Sequence, residues 1–460
     1  MTVWNSPSSA SRTLSEETPP YVGQRRYPET EEGHQDRRER AILVGVDRGN
    51  TLWPLEESLA ELARLADTAG AEVVATATQK LDRPHTKTFI GTGKAEEIAQ
   101  LVRELDASLV IFDDDLTPSQ QANLENTIAD TKIADRTALI LDIFALHATS
   151  REGKLQVELA QMEYLLPRLR GLWRHLDKYA GGGVMTRGPG ESQLETDRRL
   201  ARKRISLLNR QLTGVSHERE LQRRSRSESG VFRVALVGYT NAGKSTLLNG
   251  LTDADVLQAN MLFATLDSTT RRLTLPEGRE ATLTDTVGFI HKLPHGLVEA
   301  FKSTLDEVAE ADLLLHIADA GAVQREAQMQ AVREVLQDIG ASDTPSVVIY
   351  NKIDTLPTSE LAGLRARHSG AVFVSGLTGE GLSALLARIA EEASRGGETM
   401  TVMIPYTRGD LIALAHERAQ IVTERHREEG TRLIIKVPRG LATTFAPFET
   451  DELGDDIPSI

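Results

Sequence analysis

Nine consecutive residues, Gly238, Tyr239, Thr240, Asn241, Ala242, Gly243, Lys244, Ser245 and Thr246, constrain the fold of this chain more than any other stretch. An apolar run at 233–237 precedes them and a helical pattern follows, so the GxxxxGK[ST] spacing falls in the strand–loop–helix context that a phosphate cradle needs. Glycine lets successive backbone N–H groups turn toward phosphate oxygens at a helix N-terminus. Lys244 is expected to reach the β- and γ-phosphates, and the Ser245 hydroxyl is placed for Mg²⁺. Residues 231–396 are therefore read as an α/β nucleotide-binding domain built on a doubly wound sheet.

The base is read elsewhere. Asn351, Lys352 and Asp354 follow the apolar run 347–350, and the Asp354 carboxylate can accept hydrogen bonds from guanine N1–H and from the 2-amino group. Adenine lacks that paired donor edge, and a site built this way rejects the wrong base on the order of 10⁴-fold because buried polar groups are left unpaired. GTP and GDP are the expected ligands. Ser375, Gly376 and Leu377, after the run 371–374, fit a further guanine-contact loop.

Asp285, Thr286, Val287 and Gly288 close the run 281–284 as a DxxG element. Asp285 is expected to hold Mg²⁺ through water, and the Gly288 N–H to contact the γ-phosphate and release on hydrolysis. Between this element and the phosphate loop lie Phe263, Ala264, Thr265, Leu266 and Asp267. Thr265 is the candidate for a switch threonine that closes on Mg²⁺, with Thr269 and Thr270 as competitors. Catalysis would rest on Lys244, Thr265 and Gly288. The position after DxxG, where a glutamine often orients the attacking water, is Phe289, which has no polar side-chain atom. Slow turnover until a partner reorganises the site is the consequence.

With 460 residues the chain is too long for one ordinary core, and 40% hydrophobic with 26% charged residues suits a soluble globular protein. The absence of cysteine excludes disulfides and thiolate metal sites. No apolar run is long enough to span a bilayer, so the cytoplasm is the expected compartment, with partial peripheral membrane association left open. Residues 1–39, poor in aliphatics, are read as a disordered tail.

Residues 40–150 alternate apolar runs (41–46, 73–77, 109–112 and 139–144) with helical patterns (55–69, 95–105 and 118–128), which predicts an N-terminal parallel α/β domain. Leu155, Leu159, Met162, Leu166, Leu169, Trp173 and Leu176 then recur at four- and three-residue spacing, the seam of a long helix that Pro167 should kink or split. A second seam runs through Leu194, Ala201, Ile205, Leu208 and Leu212, so residues 151–215 are expected to form a helical hairpin around a Gly-rich basic loop. Residues 216–230 read as a charged linker, 397–440 as a small C-terminal β-α-β-β (α+β) domain, and 441–460 as an acidic tail.

The overall charge of −14 hides a strong asymmetry. From Arg168 to Arg226 there are fifteen Lys and Arg against six acids, a local charge of +9. One concentrated basic segment in an acidic protein suits a nucleic-acid face, and a solvated helix face is the plainer alternative. Arg187 in the loop and Arg199, Arg202, Lys203 and Arg204 on the second helix are the candidate RNA contacts.

These residues carry a resemblance. The phosphate loop, residues 262–267, Asp285 through Pro294, Leu297 through Leu305, Phe89 through Lys94 and Gly181 through Glu191 are similar to the HflX family, over about residues 40–440. The resemblance implies a GTPase that binds the large (50S) ribosomal subunit and its rRNA, whose members split stalled or stressed ribosomes and which is a monomer away from the ribosome. It also draws attention to Asn241, at the position where some bacterial GTPases, MnmE among them, hold K⁺ beside the phosphates; a structural Asn turn is an equal reading. A GTPase of the Era or Obg kind, acting in rRNA assembly, shares every guanine-nucleotide motif and differs in lacking the long hairpin. An RNA-binding protein whose nucleotide only stabilises its fold is a third reading. The short GxGK at Gly91 to Lys94 is a tight turn into a helix or a second nucleotide site.

Overall fold

The computed structural model describes residues 38–49, 53–128, 131–169, 189–227, 231–252, 262–263, 265–276, 280–294, 297, 302–395, 397–438, 442 and 444–450. The tail at 1–37, the Gly-rich loop with Arg187, and Ala264 lie outside the described residues.

The N-terminal domain is a four-stranded parallel sheet in the order β2-β1-β3-β4, from β1 (Glu39–Asp47), β2 (Ala71–Lys80), β3 (Leu109–Phe112) and β4 (Lys132–Asp135). Helices α1 (Leu55–Thr68), α2 (Thr92–Glu104), α3 (Pro118–Thr127) and α4 (Arg136–His147) connect and cover it. Ala41, Ile42, Leu43 and Val44 are all buried, as a strand covered on both faces requires.

The run 139–144, expected as a strand, is the middle of α4, and the fourth strand lies just before it. Asp135 caps the helix by accepting from the Ala138 N–H at 2.9 Å. The misreading has a physical cause: Leu139, Ile140, Leu141, Ile143 and Phe144 are all buried, so no polar stripe marks the helical period. They are buried together because α4 lies between two domains. A single apolar core runs from Leu43, Leu62 and Phe144 to Val237, Phe263 and Phe289 of the nucleotide-binding domain.

Helix α5 (Arg151–Leu165) ends two residues before Pro167. Helix α6 (Pro189–Ser227) packs along it. Residues 216–227, read as a linker, continue α6. Leu208 is fully buried in the expected seam, and the Arg204 guanidinium is bidentate to Glu158 of α5 at 2.6 and 2.9 Å. Arg204, expected to be free for phosphate, is thus held across the hairpin, whereas Arg199, Arg202 and Lys203 are exposed.

The nucleotide-binding domain is a six-stranded sheet in the order β10-β9-β8-β5-β7-β6. Its strands are β5 (Phe232–Gly238), β6 (Thr269–Thr274), β7 (Glu280–Asp285), β8 (Leu313–Asp319), β9 (Ser346–Asn351) and β10 (Val372–Phe373). Only β6 is antiparallel to its neighbour. Helices α7 (Lys244–Thr252), α8 (Lys302–Ala309), α9 (Arg325–Asp338), α10 (Thr358–Arg367) and α11 (Leu382–Arg395) accompany it. The C-terminal module pairs β11 (Gly397–Ile404), β12 (Gln420–Arg427) and β13 (Gly430–Pro438) antiparallel in the order β11-β13-β12, with α12 (Gly409–Arg418) against them. The start of the acidic tail is not loose: Phe445 is fully buried in that module's core and the Thr450 N–H donates to the Thr401 carbonyl at 2.9 Å.

Candidate active site

Strand β5 delivers the phosphate loop to the carboxyl edge of the sheet, where ligands of open α/β folds bind. Gly243 has φ +92°, and a Cβ there would stand 2.3 Å from Asn351 Nδ2; no other residue fits both demands. That amide nitrogen donates to the Ala242 carbonyl at 2.9 Å, and Asn351 Oδ1 accepts from the Gly376 N–H at 2.9 Å. One buried asparagine therefore ties the phosphate loop to the loop of Ser375, Gly376 and Leu377. Ser375 is buried with its Oγ accepting from the Thr378 N–H at 3.1 Å, and Leu377 is exposed. Lys352, held left-handed at φ 63°, pairs with Asp319 at 2.8 Å. The Asp354 side chain is exposed, open to a base.

On the phosphate side the structure gathers Ser245, Thr265 and Asp285. Ser245 Oγ lies 2.6 Å from Asp285 Oδ2 and 2.8 Å from Thr265 Oγ1, which is 3.2 Å from the same carboxylate oxygen. The competitors stand apart: Thr269 and Thr270 belong to β6, and the Thr270 hydroxyl meets Thr284 at 3.0 Å. Asp285 Oδ1 is buried without a hydrogen-bond partner. Two hydroxyls and a carboxylate with a spare acceptor form the hard oxygen set that suits Mg²⁺. A bound Mg²⁺ would neutralise charge on β- and γ-phosphate oxygens there. Among the described residues no group of three or more His, Cys, Asp or Glu is arranged to hold a metal.

Lys244 is buried, and its Nζ donates to the Gly238 and Tyr239 carbonyls at 3.2 and 3.1 Å. Burial lowers its pKa to about 8 and pushes the Asp285 carboxyl up; both groups gain from ligand charges that pair with them. Gly288 packs directly on the phosphate loop, where a Cβ would stand 2.7 Å from Thr240 Cα and 3.1 Å from Lys244 Nζ. Thr286 Oγ1 donates to the Leu236 carbonyl at 2.6 Å, and Val287 is buried. The Thr240 N–H donates to the Phe289 carbonyl at 2.7 Å and the Phe289 N–H to the Gly238 carbonyl at 3.1 Å. The ring of Phe289 is buried in the core, so this position contributes backbone and packing. Thr246 is half-buried, and Asn241 is exposed in a left-handed turn at φ 59°.

The functional residues that the sequence did not reveal come from the N-terminal domain. The Tyr239 hydroxyl donates to Glu61 of α1 and accepts from the His291 N–H at 2.7 Å. Arg136, buried at the start of α4, pairs with Glu61 and, at 2.8 Å, with Asp113. Asp113 also accepts from the Ser58 hydroxyl at 2.7 Å and from Lys292 Nζ at 2.6 Å. Trp53 stacks on His291 with ring centres 4.6 Å apart. Burial raises Glu61, whereas for Asp113 the cations Arg136 and Lys292 outweigh burial and hold the carboxyl low.

The switch segment is tied to the same domain. Phe263 packs edge-on against Phe144 at 4.7 Å, and its N–H donates to Thr240 Oγ1 at 3.0 Å. Leu266 is buried in the shared core. Asp267, read as a nucleotide contact, instead faces α5: its Oδ2 accepts from the Thr149 N–H and hydroxyl at 2.9 and 2.7 Å and from the Ser150 N–H at 2.7 Å. Despite the opposing effect of burial, these bonds hold its carboxyl below the usual range.

A phosphate loop tied through Asn351 to the base loops, beside a DxxG strand and a threonine–serine–aspartate oxygen cluster, defines a P-loop GTPase, which hydrolyses GTP to GDP and phosphate. Residues 56–145 match the family described as GTP-binding GTPase N-terminal, 147–226 its Middle Region, and 233–352 the family described as 50S ribosome-binding GTPase. The chain is 47% identical over 393 residues to the GTPase HflX of Caldanaerobacter subterraneus, covering 85% of this chain and 90% of that one. It is 44% identical over 406 residues to the GTPase HflX of Escherichia coli, covering 88% and 94%. The chain belongs to the HflX family of GTPases. A solved GTP-binding protein of Sulfolobus solfataricus in complex with GDP is 25% identical, with 78% of this chain and 99% of that one covered and a TM-score of 0.40. Among the described residues no helix is long and apolar enough to cross a membrane.

Proposed function

We propose that this GTPase acts on the large ribosomal subunit, using Mg²⁺-bound GTP as a switch to split or rescue stalled ribosomes. The observation that carries the reading is continuity: Asp267, two residues from Thr265, holds the Thr149–Ser150 entry to α5, and α5 packs against the basic helix α6. A γ-phosphate that draws Thr265 toward Mg²⁺ moves its neighbour Asp267 as well, and with it the root of the hairpin. Arg199, Arg202 and Lys203 are exposed on α6 and suited to rRNA phosphates, and the Gly-rich loop with Arg187 would enter the RNA. The match of 233–352 to a family described as 50S ribosome-binding GTPase supports this partner.

Sedimentation with purified 50S subunits, in GTP-analogue and GDP states, tests the proposal. Binding is expected in the analogue state, and Arg199→Ala, Arg202→Ala and Lys203→Ala together should weaken it and reduce the salt slope by about three. Equal recovery with subunits in both nucleotide states would refute a switch acting there.

A further inference from the structure

The phosphate loop carries a hydroxyl for which the loop's own chemistry has no use. The GxxxxGK[ST] pattern leaves the side chains between its two glycines open, yet Thr240, the second of them, is buried. It lies between the two elements that must answer to the γ-phosphate. On one side Thr240 Oγ1 accepts from the N–H of Phe263, two residues before Thr265, at 3.0 Å. On the other the Thr240 N–H donates to the Phe289 carbonyl at 2.7 Å, and a Cβ at Gly288 would stand 3.0 Å from Thr240 Cβ. Packing by Gly288 and the branch at Cβ both restrict χ1, so the hydroxyl stays aimed at the switch segment. Phe263 is where that segment needs holding. Its φ of 57° is left-handed, uncommon for a side chain of this size, and the residue is 2% exposed. A buried N–H costs free energy unless an acceptor meets it, and strained backbone persists only where its surroundings over-determine it. The Thr240 hydroxyl meets the main chain, and Phe144 receives the ring edge-on.

We infer that Thr240 is a positioning residue for GTP hydrolysis: its hydroxyl anchors the near end of the switch segment to the phosphate loop and so keeps Thr265 beside Ser245 and Asp285, at 2.8 and 3.2 Å. The inference rests on reading Thr265 as the threonine that closes on Mg²⁺. With Phe263 fixed, Thr265 has a short distance to travel when Mg²⁺ and the γ-phosphate arrive, and its motion passes forward to Asp267 rather than back along the chain. Less conformational freedom is then lost at the moment of closure, which favours closure at a lower Mg²⁺ concentration. Thr240 acts here through Phe263, and its side chain serves the switch rather than the phosphates.

The test uses the full chain with Thr240→Val, which removes the acceptor and keeps the branch, and Thr240→Ser, which keeps the acceptor. Without nucleotide, hydrogen exchange at the Phe263 amide should accelerate about 10-fold in Thr240→Val and stay within about threefold of wild type in Thr240→Ser. The Mg²⁺ concentration that half-saturates single-turnover hydrolysis should rise about 10-fold in Thr240→Val, while the rate at saturating Mg²⁺ and the affinity for GDP stay within about threefold. Thr265→Ala should raise the Mg²⁺ requirement without accelerating exchange at Phe263. Exchange at the wild-type rate in Thr240→Val overturns the inference. So does a loss of GDP affinity as large as the change in Mg²⁺ requirement, because the side chain would then serve the phosphate loop itself. An unchanged Mg²⁺ requirement in Thr265→Ala would instead strike out the Mg²⁺ role of Thr265 on which the inference rests.

Discussion

The two ends of the nucleotide site are built by different means. The base end is built within the nucleotide-binding domain: Asn351 bonds to the carbonyl of Ala242 and the N–H of Gly376, Lys352 is held by Asp319, and the Asp354 side chain is exposed. The phosphate end is shared between domains, with Tyr239 on Glu61, Lys292 on Asp113, Phe263 on Phe144 and Asp267 on Ser150. Recognition of guanine needs a shape that does not change through the cycle. A switch needs contacts that change when the γ-phosphate leaves, and these are worth most where they are fastened to something else that can move.

The largest effect is expected at the seam. Arg136→Ala leaves the Glu61 and Asp113 carboxylates buried beside each other with one partner gone, a loss of about 3–5 kcal/mol for a broken buried ion pair. Thermal unfolding should begin earlier, and hydrogen exchange at 58–64 and 289–292 should accelerate. GDP affinity should change less than about threefold if base recognition is independent of the seam. An equal collapse of GDP affinity would break the distinction between the two ends.

The converse substitution is Asp354→Asn. If the Asp354 carboxylate accepts from guanine, an amide there presents a donor instead, so GTP affinity should fall on the order of 10²-fold while xanthosine triphosphate, with its 2-oxo group, gains. Exchange rates across the seam should stay at wild-type values. Competition binding of the two nucleotides measures the shift, and unchanged preference for GTP would remove Asp354 from the base site.

These two substitutions also mark what the sequence discloses. Ser245, Thr265 and Asp285 could be grouped from the sequence because a phosphate loop and a DxxG element impose fixed residue types at short spacing, and the structure brings the three within 3.2 Å of one another. The seam was not readable, because its bonds join residues 23 to 179 positions apart and each member alone is an unremarkable Glu, Asp, Arg, Tyr or Lys. The same blindness produced the strand expectation for 139–144, where burial from two domains erased the polar face. Asp267 went to the nucleotide by its place beside Thr265, and only the fold shows it turned to α5.

The smallest expected effect is the most direct test of how the two ends communicate. Asp267 is a carboxylate meeting two backbone N–H groups and two hydroxyls at the entry to α5, where negative charge also suits the helix dipole. Asp267→Ala should cost about 1–2 kcal/mol locally, in the range of a lost cap. Because the folded carboxyl is held below its ordinary value near 3.8, the tie is present above that value and is lost only as pH falls below it, so acidification to pH 5 cannot mimic the mutation. Under the proposed switch, in which Thr265 closes on Mg²⁺ with the γ-phosphate, hydrogen exchange at 149–155 should differ between GDP and a GTP analogue in the wild type. In Asp267→Ala the exchange should be fast with either nucleotide while GTP hydrolysis continues. Preserved nucleotide dependence in the mutant would mean that the hairpin hears the switch through Phe263 and Phe144 instead.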